Sequence, residues 1–406
     1  MVRAALSPLR DPTYRRLFGA QVIALLGTGL LTVALALLAF EVAPTGAGAV
    51  VGTALTLKIV AYVALAPVVT AVTSRWHPRT VLVGADVVRI LVAAALPWVT
   101  EVWQVYVLVV VLQAASATFT PTFQALIPAV LPDEDEYTRA LSLSRLAYDL
   151  EAVVSPILAA AMLLVLDHHG LFAGTALGFV GSALLVACSG LRAGGTRVSG
   201  SWFDRATAGL RMFAARRRLR ALLLLDAAAA CATAVVLVNT VVVVRDTLGL
   251  GAPALALTFG AFGAGSMAVA LIVPRQLRRR SDLPLMTLGG AGCATGLVAA
   301  VWVATGAAGW PAVIVVWTVL GVATSLVLTP GGRVVNAAVA AEERPAAYAA
   351  HFSLSHACYL VTYPVAGWFG DLTSVPLSTA VLAGAACLAT VAAAGVAGRC
   401  DVRGSA

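Results

Sequence analysis

Long apolar runs constrain this chain more than any other feature. They fall at 17–40, 48–73, 80–99, 102–127, 141–166, 171–189, 219–244, 253–273, 284–305, 311–329, 346–369 and 375–397. A run of about 20 such residues is long enough to cross a bilayer as a helix. Lipid offers no partner to backbone N–H and C=O groups, so a crossing segment must be a helix or part of a closed barrel. Barrel strands alternate apolar and polar over about ten residues. These runs are continuous and rich in Ala, Leu and Val. Composition agrees: 60% of residues are hydrophobic and 11% charged, against about 25% charged in a soluble domain. A soluble enzyme and a disordered chain are both excluded. The expected fold class is an all-α membrane protein with about twelve transmembrane helices.

The net charge of +8 does not point to nucleic acid, because the basic residues flank the apolar runs. Arg3, Arg10, Arg15 and Arg16 precede the first run, and the longest polar stretch separates the sixth and seventh. That stretch carries Arg192, Arg197, Arg205, Arg211, Arg216, Arg217 and Arg218. With both termini cytoplasmic, Arg75, Arg79, Arg139, the Arg275 to Arg280 cluster, Arg333, Arg344, Arg399 and Arg403 also lie inside. Only Arg245 falls in an outer loop, as the positive-inside rule requires. The first run is expected to be retained as a span, since it exceeds a signal-peptide core. The expected organisation is a six-helix bundle at 1–190, a basic cytoplasmic linker at 191–218 and a second six-helix bundle at 219–406.

Small residues break the spans. Gly27 and Gly29, Gly260, Gly263 and Gly265, and Gly289, Gly290, Gly292 and Gly296 are expected to let helices approach closely. Pro67, Pro121, Pro156 and Pro364 can loosen a helix where neighbours re-satisfy the backbone. Six scattered cysteines without C-x-x-C spacing give neither a disulfide framework nor a zinc site. No phosphate loop or nucleophile motif supports an enzyme, and no cofactor is expected.

Several stretches carry a family resemblance: Tyr14-Arg15-Arg16-Leu17-Phe18 with Gln21, and Phe119-Thr120-Pro121-Thr122-Phe123-Gln124-Ala125-Leu126-Ile127-Pro128 before an acidic turn and Thr138-Arg139-Ala140. They resemble major facilitator exporters of the macrolide-efflux-like group. Ser144-Arg145-Leu146-Ala147-Tyr148-Asp149-Leu150-Glu151, Phe352-Ser353-Leu354-Ser355-His356-Ala357-Cys358 and Tyr363-Pro364-Val365-Ala366-Gly367-Trp368 look like the nickel-resistance-type branch. The resemblance implies two pseudo-symmetric bundles, alternating access and export. It also implies that spans two and eleven are neighbours, which would let Lys58 and His356 meet. Departures are visible. Between spans two and three, Thr70 and Ser74 replace the family's glycine and aspartate, leaving Arg75 and Arg79. Span four carries Gln113 where antiporters often carry arginine, and Ser155-Pro156 replaces Gly-Pro in span five.

An ionisable residue at membrane depth costs at least a few kcal/mol and marks a candidate site. Lys58, the only lysine in the chain, lies about 15 Å from either end of its span, too deep to snorkel easily. In span five, Arg145 and Asp149 are i, i+4 neighbours and are expected to pair. Glu151 points about 160° away from Asp149 and is the preferred proton carrier. Asp149 and Asp226 are the other candidate proton-coupling residues. Asp86 and Arg89 are expected to brace an inner gate with Arg75 and Arg79, and Arg145 joins that gating set. Gln21, Gln113 and Asn239 are polar groups expected to line the substrate cavity.

Span eleven holds His351, His356, Cys358, Tyr359 and Tyr363. His356, Tyr359 and Tyr363 are read as cavity-lining, and His351 and His356 as weak metal-ligand candidates. The leading expectation is a secondary active efflux transporter. It would export a small hydrophobic or cationic compound, with proton coupling, by alternating access. The alternative cargo is nickel or cobalt on the same fold. A membrane-embedded enzyme or sensor is the third reading. The expected partners are a small-molecule or metal-ion substrate, protons and the lipid bilayer, with no nucleic acid, and the molecule is expected to be a monomer in an inner or plasma membrane.

Overall fold

Each of the twelve apolar runs falls on a helix in the computed structural model, which describes residues 6–42, 47–191, 202–277 and 281–401. The helices are α1 (Pro12–Val42), α2 (Ala47–Thr73), α3 (Pro78–Ala95), α4 (Val102–Val130), α5 (Glu134–Leu163), α6 (His168–Ala187), α7 (Trp202–Ala215) and α8 (Arg217–Ala234). They continue as α9 (Ala252–Gln276), α10 (Asp282–Ala304), α11 (Gly309–Leu328), α12 (Gly331–Ala338), α13 (Arg344–Ala366), α14 (Trp368–Leu372) and α15 (Val375–Asp401). Among the described residues there is no strand. Among the described residues, eleven helices are long and apolar enough to cross a membrane. The other long one, α13, is diluted by His351, Ser353, Ser355, His356, Tyr359, Thr362 and Tyr363.

Local signals set several helix starts. Asp133 Oδ1 accepts from Glu136 N at 2.9 Å, so the acidic turn before α5 is its N-cap. Asp167 Oδ1 accepts from Gly170 N at 3.0 Å and caps α6 in the same way. Each cap satisfies a backbone N–H that the first helical turn leaves open.

The stretch expected to be a linker holds the 14-residue helix α7, while 192–201 lie outside the described residues. Asp204 and Arg211, interleaved with Phe203, Leu210 and Phe213, make an amphipathic pattern that reads as polar overall. Beyond α8 the backbone widens into π-helical turns at Val235–Asn239 and Val242–Thr247. The arginines at 3, 192, 197, 278, 279, 280 and 403, part of the orientation argument, lie outside the described residues.

Two compact units divide the chain: Met1–Gly209 with Ala341–Ser353, and Leu210–Ala340 with Leu354–Ala406. Helix α13 therefore gives its first ten residues to the first unit and the remainder to the second.

In the first unit, α1 packs on α6 and α5, α2 on α4, and α3 on both α4 and α6. Gly27 and Gly178 allow the α1–α6 approach: a methyl at Gly27 would stand 3.3 Å from the Thr175 carbonyl, and one at Gly178 3.3 Å from that of Ile23. The 341–353 segment is held by side chains. Tyr137 and Tyr348 share a hydroxyl hydrogen bond of 2.7 Å, and Phe352 packs on Tyr62 at 4.8 Å between ring centroids. Ser353 donates to the Val63 carbonyl.

In the second unit, α9 packs on α11, α10 on α11 and α15, and α8 on α15. The core gathers around Trp317, whose indole N–H donates to Thr240 Oγ1 at 2.7 Å. A methyl at Gly321 would run into the Phe262 carbonyl, and one at Gly265 into that of Thr318. Gly260 and Gly263 face open space. Bilayer helices associate by such close backbone approach more than by burying apolar surface.

Candidate functional site

Membrane-depth polar groups of the first unit gather along one face of α5. Ala140, Ser144, Tyr148, Glu151 and Ser155 are spaced by four, four, three and four residues, which aligns them on one side of a helix. Tyr14, Gln21 and Gly29 form the matching face of α1, at spacings of seven and eight. Tyr14 Oη donates to the Ala140 carbonyl at 3.2 Å. Ser144 Oγ donates to Gln21 Oε1 at 3.0 Å. The Tyr148 hydroxyl has Gln21 and Thr120 as hydrogen-bond partners. At Gly29 the missing side chain lets Ser155 and Glu151 close in: a methyl there would collide with Ser155 and stand 2.7 Å from Glu151 Oε1.

Lys58 completes the cluster from the middle of α2. Its Nζ stands 5.9 Å from the Tyr62 ring centroid, and its charge is an electrostatic neighbour of Glu151. Tyr62 has Ser116 of α4 as a hydrogen-bond partner and also lies within electrostatic range of Glu151. Lys58 and Glu151 are both half-buried. One ammonium, one carboxylate and two phenols thus share the interior of four packed helices. In such a set the ammonium balances the ionised carboxylate, and taking up a proton raises the net charge by one.

Asp149 points elsewhere and pairs with Arg145 at 2.9 Å, so the expected i, i+4 pair forms. Asp86 and Arg89 lie inside the unit, 0% and 4% exposed, in an ion pair. Ser182 of α6 donates to Asp86 Oδ2 at 2.8 Å. The Arg89 guanidinium lies between the rings of Phe119 and Phe179, at 4.3 and 4.8 Å. Asp86 is a full two turns from the start of α3, and its partners are Arg89 on the same helix and Ser182 on α6.

Gln21 and Gln113, expected to line the cavity, are each 5% exposed. Gln21 is tied into the α1–α5 seam, and Gln113 Oε1 is buried without a hydrogen-bond partner.

In the second unit Asp226 is 3% exposed and is an electrostatic neighbour of Cys358. Asn239, at the π-helical widening, is buried and donates to Thr379 Oγ1 at 3.5 Å. His356, Tyr359 and Tyr363 form a ladder on α13, with ring centroids 6.0 Å apart for the first pair and 5.3 Å for the second. His351 falls in the first unit and His356 in the second. Among the described residues no three His, Cys, Asp or Glu side chains stand close enough to hold a metal ion. The five described cysteines are free thiols.

Sequence reasoning missed Tyr62, Tyr148, Ser144, Ser182 and the two phenylalanines around Arg89. The spacing of Ser144, Tyr148, Glu151 and Ser155 carried a usable signal, because it repeats the period of one helix face.

The sequence profile of the Major Facilitator Superfamily matches residues 17–311. The chain belongs to that superfamily: it is a multi-pass membrane transporter. Over 176 residues it is 24% identical to macrolide efflux protein A of Streptococcus pyogenes, covering 42% of this chain and 43% of that protein. The chain thus spans less than half the length of this curated relative. The fold is similar to that of the human organic anion transporter MFSD10 (TETRAN), with TM-score 0.80 and 13% identity over 94% of this chain and 99% of that one. It is also similar to a bacterial homologue of the iron transporter ferroportin in its outward-facing state, with TM-score 0.73 and 16% identity over 95% and 99% of the two chains. The proton:xylose symporter XylE gives TM-score 0.75 and 12% identity over 95% of each chain. At these identities the structures speak for the fold alone.

Proposed function

We propose that the chain is a proton-coupled secondary transporter that exports a small amphiphilic organic compound by alternating access. The carrying observation is Glu151, held at membrane depth beside Lys58, Tyr62 and Tyr148. A carboxylate at that depth is costly unless it is paired or has a task. Here the Asp149 carboxylate is paired locally with Arg145, whereas Glu151 faces a lysine on another helix. Glu151 takes a proton from one side of the membrane and releases it on the other. Lys58 compensates the ionised form that carries cargo outward, and the return step is made with Glu151 protonated, so proton entry and cargo exit stay coupled.

The direction rests on the sequence match to a macrolide efflux protein and on the export implied by the family resemblance. The two six-helix halves at 1–190 and 219–406, both termini inside and action as a monomer belong to the same reading.

The test uses inside-out membrane vesicles energised to an acid interior. Wild type accumulates a macrolide or ethidium, and dissipating the proton gradient releases it. Glu151→Gln abolishes gradient-driven accumulation but retains exchange of labelled for unlabelled compound. Unaltered accumulation by Glu151→Gln removes the proposal's main support.

A further inference from the structure

Helix α7 has an apolar strip that its packing does not use. Gly209 and Phe213 make its buried face. Gly209 has no room for a side chain, since a methyl there would run into the Ala346 carbonyl and the Ala350 methyl of α13. About a third of a turn round the helix, Phe203, Thr207, Leu210 and Ala214 follow one another at i, i+4, i+7 and i+11, the spacing of a single face. Phe203 is 66% exposed and Leu210 37%, and Ala214 is exposed beside them. About a quarter of a turn further on stand Asp204 and Arg211, both exposed. Going round the helix, a face packed on protein is followed by an exposed apolar strip and then by a charged edge. A helix lying in a bilayer interface needs this order: its apolar strip enters the boundary of the acyl chains while the charged edge stays in water.

Chain continuity and charge say what covers the strip. Arg216, in an extended conformation, is the one residue between α7 and α8. Helix α8 opens the apolar stretch Arg217–Asn239, which is long enough to cross a membrane. The end of α7 therefore lies at the level where that span meets the headgroups. Residues 202–220 carry six arginines against one aspartate, and Arg218 and Arg220, in the first turn of α8, are exposed. A second copy of the chain would bring the same positive charge to this surface, and like charges repel. Anionic phospholipid brings the opposite charge, with phosphate oxygens that match the guanidinium fork.

We propose that α7 is an interfacial helix that seats Phe203 and Leu210 against the acyl chains and gathers anionic phospholipid at Arg218 and Arg220. This role is separate from transport and holds whatever the chain carries.

The experiment is photo-crosslinking of the full chain in lipid nanodiscs made of equal parts phosphatidylglycerol and phosphatidylcholine. Benzoylphenylalanine is placed at Phe203, at Leu210 or, as the control, at Asp204, and mass spectrometry of the α7 peptide identifies the adduct. Phe203 and Leu210 are expected to give lipid adducts at least about fivefold more often than Asp204. Phosphatidylglycerol adducts should exceed phosphatidylcholine adducts at least about threefold, and Arg218→Gln with Arg220→Gln should lower that ratio at least about twofold. The proposal is overturned if Phe203 and Leu210 form no lipid adduct or crosslink to a second copy of the chain, or if Asp204 captures lipid as often. It is also overturned if the two phospholipids are captured equally, or if the folded arginine variant keeps the full preference. Should the arginine variant fail to fold, the ratio of the two phospholipids with both arginines in place decides alone.

Discussion

Asp86 and Arg89, one turn apart on α3, form an ion pair that is almost wholly buried in the first unit. Ser182 and two phenylalanine rings enclose it. Removing one member of a buried pair leaves the other uncompensated, at a cost of about 3–5 kcal/mol. Asp86→Ala should therefore lower the melting temperature sharply, while Ser182→Ala costs about 1 kcal/mol. Arg75→Ala should leave the melting temperature of the same preparation unchanged, since Arg75 takes no part in this cluster.

Gln21 joins two side chains of α5: it accepts from Ser144 and is a partner of Tyr148. Gln21→Leu keeps the volume and removes one hydrogen bond from each hydroxyl, a loss of about 0.5–1.5 kcal/mol per bond, while Tyr148 keeps Thr120 and Ser144 keeps Tyr14 as partners. The expected outcome is a lower melting temperature together with slower gradient-driven transport, because Tyr148 no longer holds its place beside Glu151. Ser144→Ala should have the smaller effect on both measurements.

Close packing of α9 on α11 needs a bare backbone at Gly321, where a methyl would meet the Phe262 carbonyl. Gly321→Ala should destabilise the second unit by about 1–3 kcal/mol, the usual range for overpacking. Gly260→Ala, with open space at the same atom, is the matched control and should be neutral in a thermal melt.

Membrane orientation can be read directly. Single cysteines at Ser74 and Thr100, in a background lacking the native thiols, sit in the loops after α2 and before α4. With both termini cytoplasmic, a membrane-impermeant maleimide labels Thr100→Cys in intact cells and labels Ser74→Cys only after permeabilisation. The reverse pattern would contradict the positive-inside reading.

The helices were legible because a bilayer-length apolar run leaves the backbone little choice. Helix α7 was not, because Asp204 and Arg211 hide its apolar stripe in a polar average. Within the site, the Arg145–Asp149 pair followed from i, i+4 spacing on one helix. The surroundings of Arg89 did not: Ser182 and Phe179 lie some ninety residues further along the chain, and periodicity carries no information about partners on another helix. Lys58 and Glu151 each stood out as costly charges, yet only the packing of α1, α2 and α5 makes them neighbours. Polarity marked Gln21, Gln113 and Asn239 in the sequence, but not that all three are buried or that Gln21 and Asn239 bond side chains of adjoining helices.

The central claim is that Glu151 exchanges a proton as cargo binds, and proton release measures it most directly. Purified protein in weakly buffered solution near neutral pH is mixed with ethidium while a pH indicator is followed. The account predicts proton release on binding by wild type and by Asp149→Asn, and none by Glu151→Gln at saturating ethidium. Equal proton release from Glu151→Gln and wild type would contradict it.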